Sequence, residues 1–158
     1  MSEPPTNPGV HFPPPFVFVA AFLLGMAIDR WIMELRFGNA GRPVFLVAGW
    51  LLTGFGLGLM LWAIWTFTRA RTSVLPFRPA TAMVTSGPYR FSRNPMYVGL
   101  SFLYVGLSLL TAMAWPLVML PLALMTLTAL VIRREERYLE AAFGGEYAAY
   151  RARVRRWL

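Results

Sequence analysis

The sequence predicts an all-α integral membrane protein with four transmembrane helices, the third and fourth forming a tight hairpin, and a cytoplasmic interfacial helical tail at the C-terminus. Three observations lead to this fold class. Of the 158 residues, 57% are hydrophobic, which is well above the share in an average soluble domain. Two long runs contain no charged residue. The arginines cluster between the apolar runs, as is typical of loops at a membrane surface.

The first fifteen residues contain six prolines and no apolar periodicity, so residues 1–15 are predicted to form a mobile tail. The rest of the chain, 16–158, is predicted to be one membrane domain. Its first span is placed at about 16–34, because the strictly apolar part alone is shorter than the roughly 20 residues of a full crossing. Asp29 and Arg30 are then interpreted as interfacial residues.

The second span, at about 44–67, is an uncharged run bracketed by Arg42 and Arg69. Within it, Gly54 and Gly58 lie four residues apart, a spacing that permits two helices to approach closely. Glycine is also common in membrane helices without such a role. The two interpretations carry equal weight at the sequence level.

The last apolar run, 97–132, contains 36 residues without a charge. A single helix of that length would extend for about 54 Å, far beyond a hydrocarbon core of ~30 Å. The run must therefore fold back as a hairpin, with spans at about 96–114 and 116–132. The turn is predicted beside Trp115 and Pro116, because proline cannot continue the preceding helix and tryptophan suits a membrane interface.

Four spans place both termini on the same side of the membrane. The motif-bearing loop 68–95 contains five arginines and the tail 133–158 contains seven, whereas the opposite side has three. The positive-inside rule therefore predicts that this loop, the tail and both termini are cytoplasmic, in a bacterial inner membrane.

Composition excludes several kinds of function. The chain has no cysteine, and its one histidine, His11, lies in the proline-rich tail. Disulfides, thiol nucleophiles, a Ser-His-Asp triad and Cys- or His-based metal sites are therefore not expected, and no metal is predicted. The net charge of +8 lies between apolar spans and not on a polar face, so no nucleic-acid partner is expected. The expected partners are the lipid bilayer and a lipophilic small molecule, and the oligomeric state is left open.

Two polar clusters remain, and the predicted topology places them on the same membrane face. The first is "GPYRFSRNPMYVG", and the second follows the fourth span. Glu135 and Glu136 are adjacent on a helix and point about 100° apart, so one of them is expected to face inward and the other to meet solvent or a nearby arginine. Glu140 lies on the same face as Glu136.

The second cluster continues beyond the two glutamates. Gly144 and Gly145 should end the helix that carries them. Tyr147, Tyr150 and Val154 then recur at spacings of three and four residues, which predicts an amphipathic segment lying against the interface. The alternative is a simple arginine-rich anchor for anionic lipid, without enzymatic function.

The segment "SGPYRFSRNPMYVG", followed about 36 residues later by "REERYLEAAFGGEYAAYRARVRRW", resembles the isoprenylcysteine carboxyl methyltransferase and phospholipid methyltransferase superfamily of integral membrane enzymes, in a bacterial form. The resemblance implies methyl transfer that depends on S-adenosyl-L-methionine, at the cytoplasmic membrane face. The implied acceptor is lipophilic: an isoprenyl or other lipid carboxylate, or a small thiol or amine. Phospholipid N-methylation is the alternative within the same chemistry.

The same resemblance implies the site residues. Arg93 and Glu136 are the expected catalytic pair. The expected cofactor-binding residues are Gly87, Pro88, Tyr89, Arg93, Asn94, Pro95, Tyr97, Gly99, Glu135 and Glu136. Many eukaryotic members have histidine where this chain has Asn94, and asparagine can orient or bind but cannot exchange a proton near neutral pH. At Gly99, a missing side chain would permit close approach to the cofactor or, alternatively, close packing of helices.

Overall fold

The computed structural model describes residues 9–10, 12–38, 41–71 and 82–158. These ranges are mainly helical and contain no β-strand beyond an isolated bridge between Arg36 and Met113. The helices are α1 (Pro15–Trp31), α2 (Arg42–Arg69), α3 (Pro95–Thr111), α4 (Trp115–Leu127), α5 (Arg133–Phe143) and α6 (Gly145–Arg153). A 3₁₀ turn occupies Gly87–Arg90, and a π-helical turn at Thr128–Ile132 joins α4 to α5. The predicted all-α class is confirmed.

Two helices are long and apolar enough to cross a membrane. They are α2, with 28 residues, and the continuous helix Trp115–Phe143, with 29 residues. The latter exceeds the predicted fourth span because the helix does not stop at residue 132 but continues through α5. Helices α1 and α3 have 17 residues each and are shorter than a full crossing. A membrane protein is supported, and the number of four spans stays a prediction.

The predicted hairpin between α3 and α4 is present. Helix α3 ends at Thr111, Ala112 adopts a left-handed conformation with φ of +57°, and α4 begins at Trp115. Pro116 lies in the first turn of α4, where a missing N–H costs no helical hydrogen bond. The hydroxyl of Tyr104 on α3 donates to the carbonyl of Pro116 at 2.7 Å, which ties the two helices together above the turn.

Helix α2 packs mainly on α3, and the contact depends on two pairs of glycines. Gly56 faces Gly99, and Gly49 faces Gly106; a Cβ placed at Gly99 would lie 2.8 Å from the carbonyl oxygen of Gly56. The two pairs are seven residues apart on each helix and run in opposite directions along the chain. This spacing repeats every two turns, so both pairs lie on one antiparallel seam where the backbones approach closely.

The glycines that the sequence suggested for this contact are not the ones used. Gly54 and Gly58 have no atom within 4 Å of a Cβ built at either position, so neither packs against another helix of this chain. The segment has glycine at every second position, and its apolar residues surround the helix on all sides. The hydrophobic pattern therefore could not identify the buried face of α2, on which Gly56 lies.

Asp29 is buried by the chain segment that follows α1. It is 5% exposed, and its Oδ1 accepts a hydrogen bond from the backbone N–H of Leu35 at 2.9 Å. Its Oδ2 lies 3.5 Å from Nη2 of Arg36. The indole N–H of Trp115 donates to the carbonyl of Met33 at 2.8 Å. The segment after α1 therefore folds back on the α3–α4 turn and buries the carboxylate of Asp29, and its predicted place near a membrane interface stays a prediction.

The apolar core lies between α1, α3 and α4. Its buried members are Val10, Phe18, Ala21, Leu100, Tyr104, Ala123, Leu127, Val131 and Ile132. Val10 is 4% exposed although it belongs to the predicted mobile tail, and α1 already begins at Pro15. The described end of that tail is therefore packed. Residues 1–8 and His11 lie outside the described residues, as does the part of the predicted loop at 72–81.

Candidate active site

The loop that leads into α3 is fixed by residues with restricted backbone geometry. Gly87 has φ of +59°, a left-handed conformation that residues with side chains disfavour. A Cβ at this position would also lie 2.7 Å from Oγ1 of Thr66 on α2. Pro88 lies at the start of the 3₁₀ turn and Pro95 is the first residue of α3. The loop is therefore seated on α2 and delivers residues 89–94 to the beginning of α3.

Arg93 and Glu136 lie in direct contact. Nη1 of Arg93 is 3.0 Å from Oε1 of Glu136, and the two side chains are 10% and 13% exposed. The same Nη1 donates to the hydroxyl of Tyr147 on α6 at 3.1 Å. The structure therefore brings together the two polar stretches that the sequence placed on one membrane face. The catalytic roles of the pair stay predictions.

A second arginine holds the same carboxylate. Nε of Arg156 donates to Oε1 of Glu136 at 2.9 Å, and its Nη2 donates to Oε2 at 2.8 Å. This two-point geometry is the strong form of an arginine–carboxylate pair. The hydrogen-bonded carboxylate of Glu136 raises the pKa of Arg156 further. Two guanidinium groups thus share one carboxylate, and the cluster formed by Arg93, Glu136 and Arg156 keeps an excess of positive charge.

The C-terminal residues are fastened to the motif loop by backbone carbonyls. The backbone N–H of Arg93 donates to the carbonyl of Arg155 at 2.9 Å, and Nδ2 of Asn94 donates to the carbonyl of Arg156, also at 2.9 Å. The hydroxyl of Ser92 donates to that second carbonyl at 3.3 Å. Asn94 is therefore used to hold the C-terminal segment, and this contact gives a physical reason for a side-chain amide at this position.

Glu135 lies on the other side of the helix from these contacts and has a different partner. Its Oε1 accepts a hydrogen bond at 2.9 Å from the hydroxyl of Tyr97 in the first turns of α3. Among the described residues, no arginine forms an ion pair with Glu135. The site thus contains a carboxyl group that has a tyrosine hydroxyl as its partner and, within the part of the chain that the structure describes, no arginine.

Both glutamates are therefore engaged by partners, and Glu136 meets nearby arginines, which is one of the two alternatives expected for the second carboxylate. The two side chains do diverge, as neighbours on a helix must. However, α3 lies on one side of α5 and the C-terminal segment lies on the other, so each direction ends in a partner. Glu140 instead pairs with Arg151 at 3.3 Å, and both side chains are about half exposed.

Two buried tyrosines attach α6 to the motif loop. The hydroxyl of Tyr150 donates to the carbonyl of Tyr89 at 2.7 Å. Burial raises the pKa of Tyr150 and that of Tyr147, so both phenols stay protonated. The hydroxyl of Tyr147 accepts its hydrogen bond from Arg93. The segment after Gly144 is thus amphipathic as predicted, but its tyrosines face the motif loop, where the sequence suggested a membrane surface.

Gly99 does not lie in this cluster. It packs against α2, where a Cβ would lie 2.7 Å from Cγ of Met60 and 2.8 Å from the carbonyl oxygen of Gly56. Of the two interpretations left open by the sequence, helix packing accounts for this glycine. Gly87 similarly supports the loop through its contact with α2.

Three contributors to the site were not among the predicted site residues: Ser92, Tyr147 and Arg156. Tyr147 had a signal in the sequence, since it belongs to the periodic tyrosines, but that period does not show what the side chain contacts. The sequence contains no signal that singles out Arg156, because it is one of four arginines within the last eight residues of the chain. Only the fold shows which of them reaches Glu136.

The chain is similar to known proteins over much of its length. A family model described as phospholipid methyltransferase matches residues 44–146. Over 124 residues, the chain is 32% identical to the cobalt-zinc-cadmium resistance protein CzcN of Cupriavidus metallidurans, a match that covers 78% of this chain and 56% of that protein. An uncharacterized protein of Haemophilus influenzae is 63% identical over 27 residues, which is 17% of this chain and 43% of that protein.

The chain therefore spans a little over half the length of the Cupriavidus protein that it resembles. No solved structure matches the chain. The family match extends from α2 into α6 and includes Arg93, Glu135 and Glu136, whereas Arg156 lies beyond it.

Proposed function

The chain belongs to the phospholipid methyltransferase family, since the family model covers most of its length, and from this premise we propose that it transfers a methyl group from S-adenosyl-L-methionine to a lipophilic acceptor at the cytoplasmic face of the membrane. The family supplies the methyltransferase activity and the membrane setting. The cofactor, the class of acceptor and the side of the membrane are the parts that we add.

One observation carries the proposal. The motif loop, the start of α3 and the C-terminal segment converge on the two adjacent glutamates, through Arg93–Glu136 at 3.0 Å and Tyr97–Glu135 at 2.9 Å. Ionisable side chains at the end of apolar helices are expensive and usually functional. A simple lipid anchor would need arginines that face lipid and would not need both carboxylates to be held by side chains from other segments.

The residues present fit the charges of the proposed cofactor. When bound, S-adenosyl-L-methionine supplies a methyl group on a positively charged sulfonium. Glu135 is the carboxylate without an arginine partner and is suited to face a positive group. Nε of Arg93 is buried and has no hydrogen-bond acceptor among the described residues, and it is suited to a carboxylate. A buried donor without an acceptor costs about 1–3 kcal/mol, which an acceptor on the ligand would recover.

The chain's own contribution to the reaction would be binding, orientation and the exclusion of water. A methyl transfer is an in-line displacement and gains most from holding donor and acceptor in contact. A carboxylate or thiolate acceptor needs no general base. Asn94 cannot provide one, and its amide is already bonded to the C-terminal segment. These properties favour an acceptor that arrives already ionised, such as a lipid carboxylate.

Phospholipid N-methylation is the second candidate, and the description of the matching family favours it. An amine acceptor must lose a proton, so the rate of N-methylation should depend on a nearby carboxylate. Glu135 is the available group. Transfer to a phosphatidylethanolamine headgroup, measured against transfer to an isoprenyl carboxylate, separates the two candidates.

The proposal is tested by titrating detergent-purified protein with S-adenosyl-L-methionine. We expect saturable binding by the wild type and binding that is about tenfold to a hundredfold weaker for Arg93→Gln, which loses a charge-assisted contact. Arg153→Gln is the matched control, because its exposed guanidinium bonds to the carbonyl of Ala149 on its own helix and, among the described residues, to no part of the cluster. A wild-type protein that does not bind the cofactor would show that the polar clusters have another role.

A further inference from the structure

Arg93 and Arg156 compete for the same carboxylate. Oε1 of Glu136 contacts both Nη1 of Arg93, at 3.0 Å, and Nε of Arg156, at 2.9 Å, while Oε2 is occupied by Arg156 at 2.8 Å. Arg156 therefore holds Glu136 at two points, and Arg93 reaches it at one. An arginine and a carboxylate isolated from other partners prefer the two-point arrangement. With Oε2 bonded to Arg156, Arg93 contacts Glu136 through Oε1.

The single-point contact leaves part of the Arg93 guanidinium unused. Its Nη1 is shared between Glu136 and Tyr147, and its Nε is buried and lacks an acceptor among the described residues. If Arg156 were absent, Glu136 could pair with Arg93 through both oxygens, and the excess positive charge of the cluster would disappear. The side chain of Arg156 is 37% exposed, so its charge loses less hydration than the charge of the more deeply buried Arg93.

We propose that Arg156 is a positioning residue that occupies Glu136 and thereby keeps the guanidinium of Arg93 available for a carboxylate on the ligand. The inference rests on the proposed function and assigns the recognition of the cofactor's carboxylate to the Arg93 side of the site. The backbone carbonyl of Arg156 is held by Asn94 and Ser92, which fixes the residue at this distance from Glu136. The C-terminal segment, which lies beyond the family match at 44–146, is on this view part of the binding site.

The test compares two ligands that differ in one group. S-adenosyl-L-methionine carries a carboxylate, and decarboxylated S-adenosylmethionine lacks it but keeps the sulfonium and the amino group. For purified Arg156→Gln we expect the affinity for the first ligand to fall about tenfold, the usual scale of one charge-assisted contact, and the affinity for the second to change by less than about twofold. A general loss of structure would weaken both ligands equally.

A second variant keeps the test decisive if Arg156→Gln does not fold. Arg156→Lys keeps the positive charge, but an ammonium cannot reproduce the planar two-point contact, so it should release part of Glu136 to Arg93. We expect a threefold to fivefold loss for S-adenosyl-L-methionine, on the order of half the effect of the glutamine variant on the free-energy scale, and again no loss for the decarboxylated ligand. Arg153→Gln, which removes an exposed arginine three residues away, should bind both ligands like the wild type.

The outcomes separate the inference from the proposed function. Equal weakening of both ligands by the Arg156 variants, or no weakening of either, would overturn the positioning role while leaving the methyltransferase proposal intact. A wild type that binds the two ligands equally well would also overturn it, since no carboxylate would then be recognised. A wild type that binds neither ligand would remove the proposed function and this inference with it.

Discussion

At the scale of single residues, the two adjacent glutamates have different partners. Glu136 is neutralised by Arg93 and Arg156, whereas Glu135, within the described part of the chain, accepts a hydrogen bond from Tyr97 and pairs with no arginine. The sequence predicts Glu136 as the catalytic partner and leaves open which of the two glutamates faces the site. The contacts favour the opposite division, with Glu135 facing the positive group of the ligand and Glu136 organising the arginines.

This division predicts different effects for the two isosteric substitutions. Glu135→Gln should weaken S-adenosyl-L-methionine about tenfold to a hundredfold and should weaken S-adenosylhomocysteine, which has no sulfonium charge, much less. The temperature of unfolding should change little. Glu136→Gln should instead lower the unfolding temperature, because it leaves two partly buried guanidinium groups without a carboxylate. Ligand titration and thermal unfolding of both variants in detergent check the prediction, and equal loss of both ligands by Glu135→Gln would contradict it.

At the scale of helices, the seam between α2 and α3 is what positions the motif loop. Gly99 lies one turn after the start of α3 and packs on Gly56, so the approach of the backbones sets where α3 begins relative to α2. The loop is then seated on the end of α2 through Gly87 and Thr66. Displacement of this seam would move Arg93 and Tyr97 together, although neither side chain takes part in it.

The seam between α2 and α3 leads to a prediction for Gly99, which the sequence placed among the cofactor-binding residues. Gly99→Leu should reduce the yield of folded protein and the activity together, because its side chain would meet the Gly56 carbonyl at a distance where the helices must separate. Overpacking of this kind typically costs about 1–3 kcal/mol. Gly58→Leu is the matched control on α2, since nothing lies within 4 Å of its Cβ. Full folded yield with lost activity for Gly99→Leu would restore a direct role at the ligand.

The helices themselves were largely predictable, and the contacts between them were not. Charged residues and prolines bracket the apolar runs, so the starts of α2 and α3 and the α3–α4 turn follow from local chemistry. The choice of Gly56 over Gly54 depends on which face α3 covers, and the choice of Arg156 depends on a contact across 20 residues of chain. Both contacts depend on the tertiary fold. They leave no periodic signal in the sequence, because α2 is apolar on every side and the C-terminal segment is rich in arginine.

At the scale of the whole molecule, both polar stretches and the C-terminus lie at one end of the helical bundle. The α3–α4 turn, with Asp29 and Arg36 folded against it, lies at the other. The excess of arginine at the first end predicts that this end is cytoplasmic. A reporter fused after Leu158 should therefore be active in the cytoplasm and silent in the periplasm, and the reverse result would invert the proposed orientation.

The most direct measurement is methyl transfer itself. Purified protein in proteoliposomes made from bacterial lipid extract would be incubated with S-adenosyl-L-methionine labelled in the methyl group, and the label followed into the organic phase. We expect time-dependent labelling of a lipophilic product by the wild type and by Arg153→Gln. Labelling should fall by at least about tenfold for Glu135→Gln. No labelled lipid with the wild type, or equal labelling by wild type and Glu135→Gln, would contradict the assignment of this cluster as the site of a membrane methyltransferase.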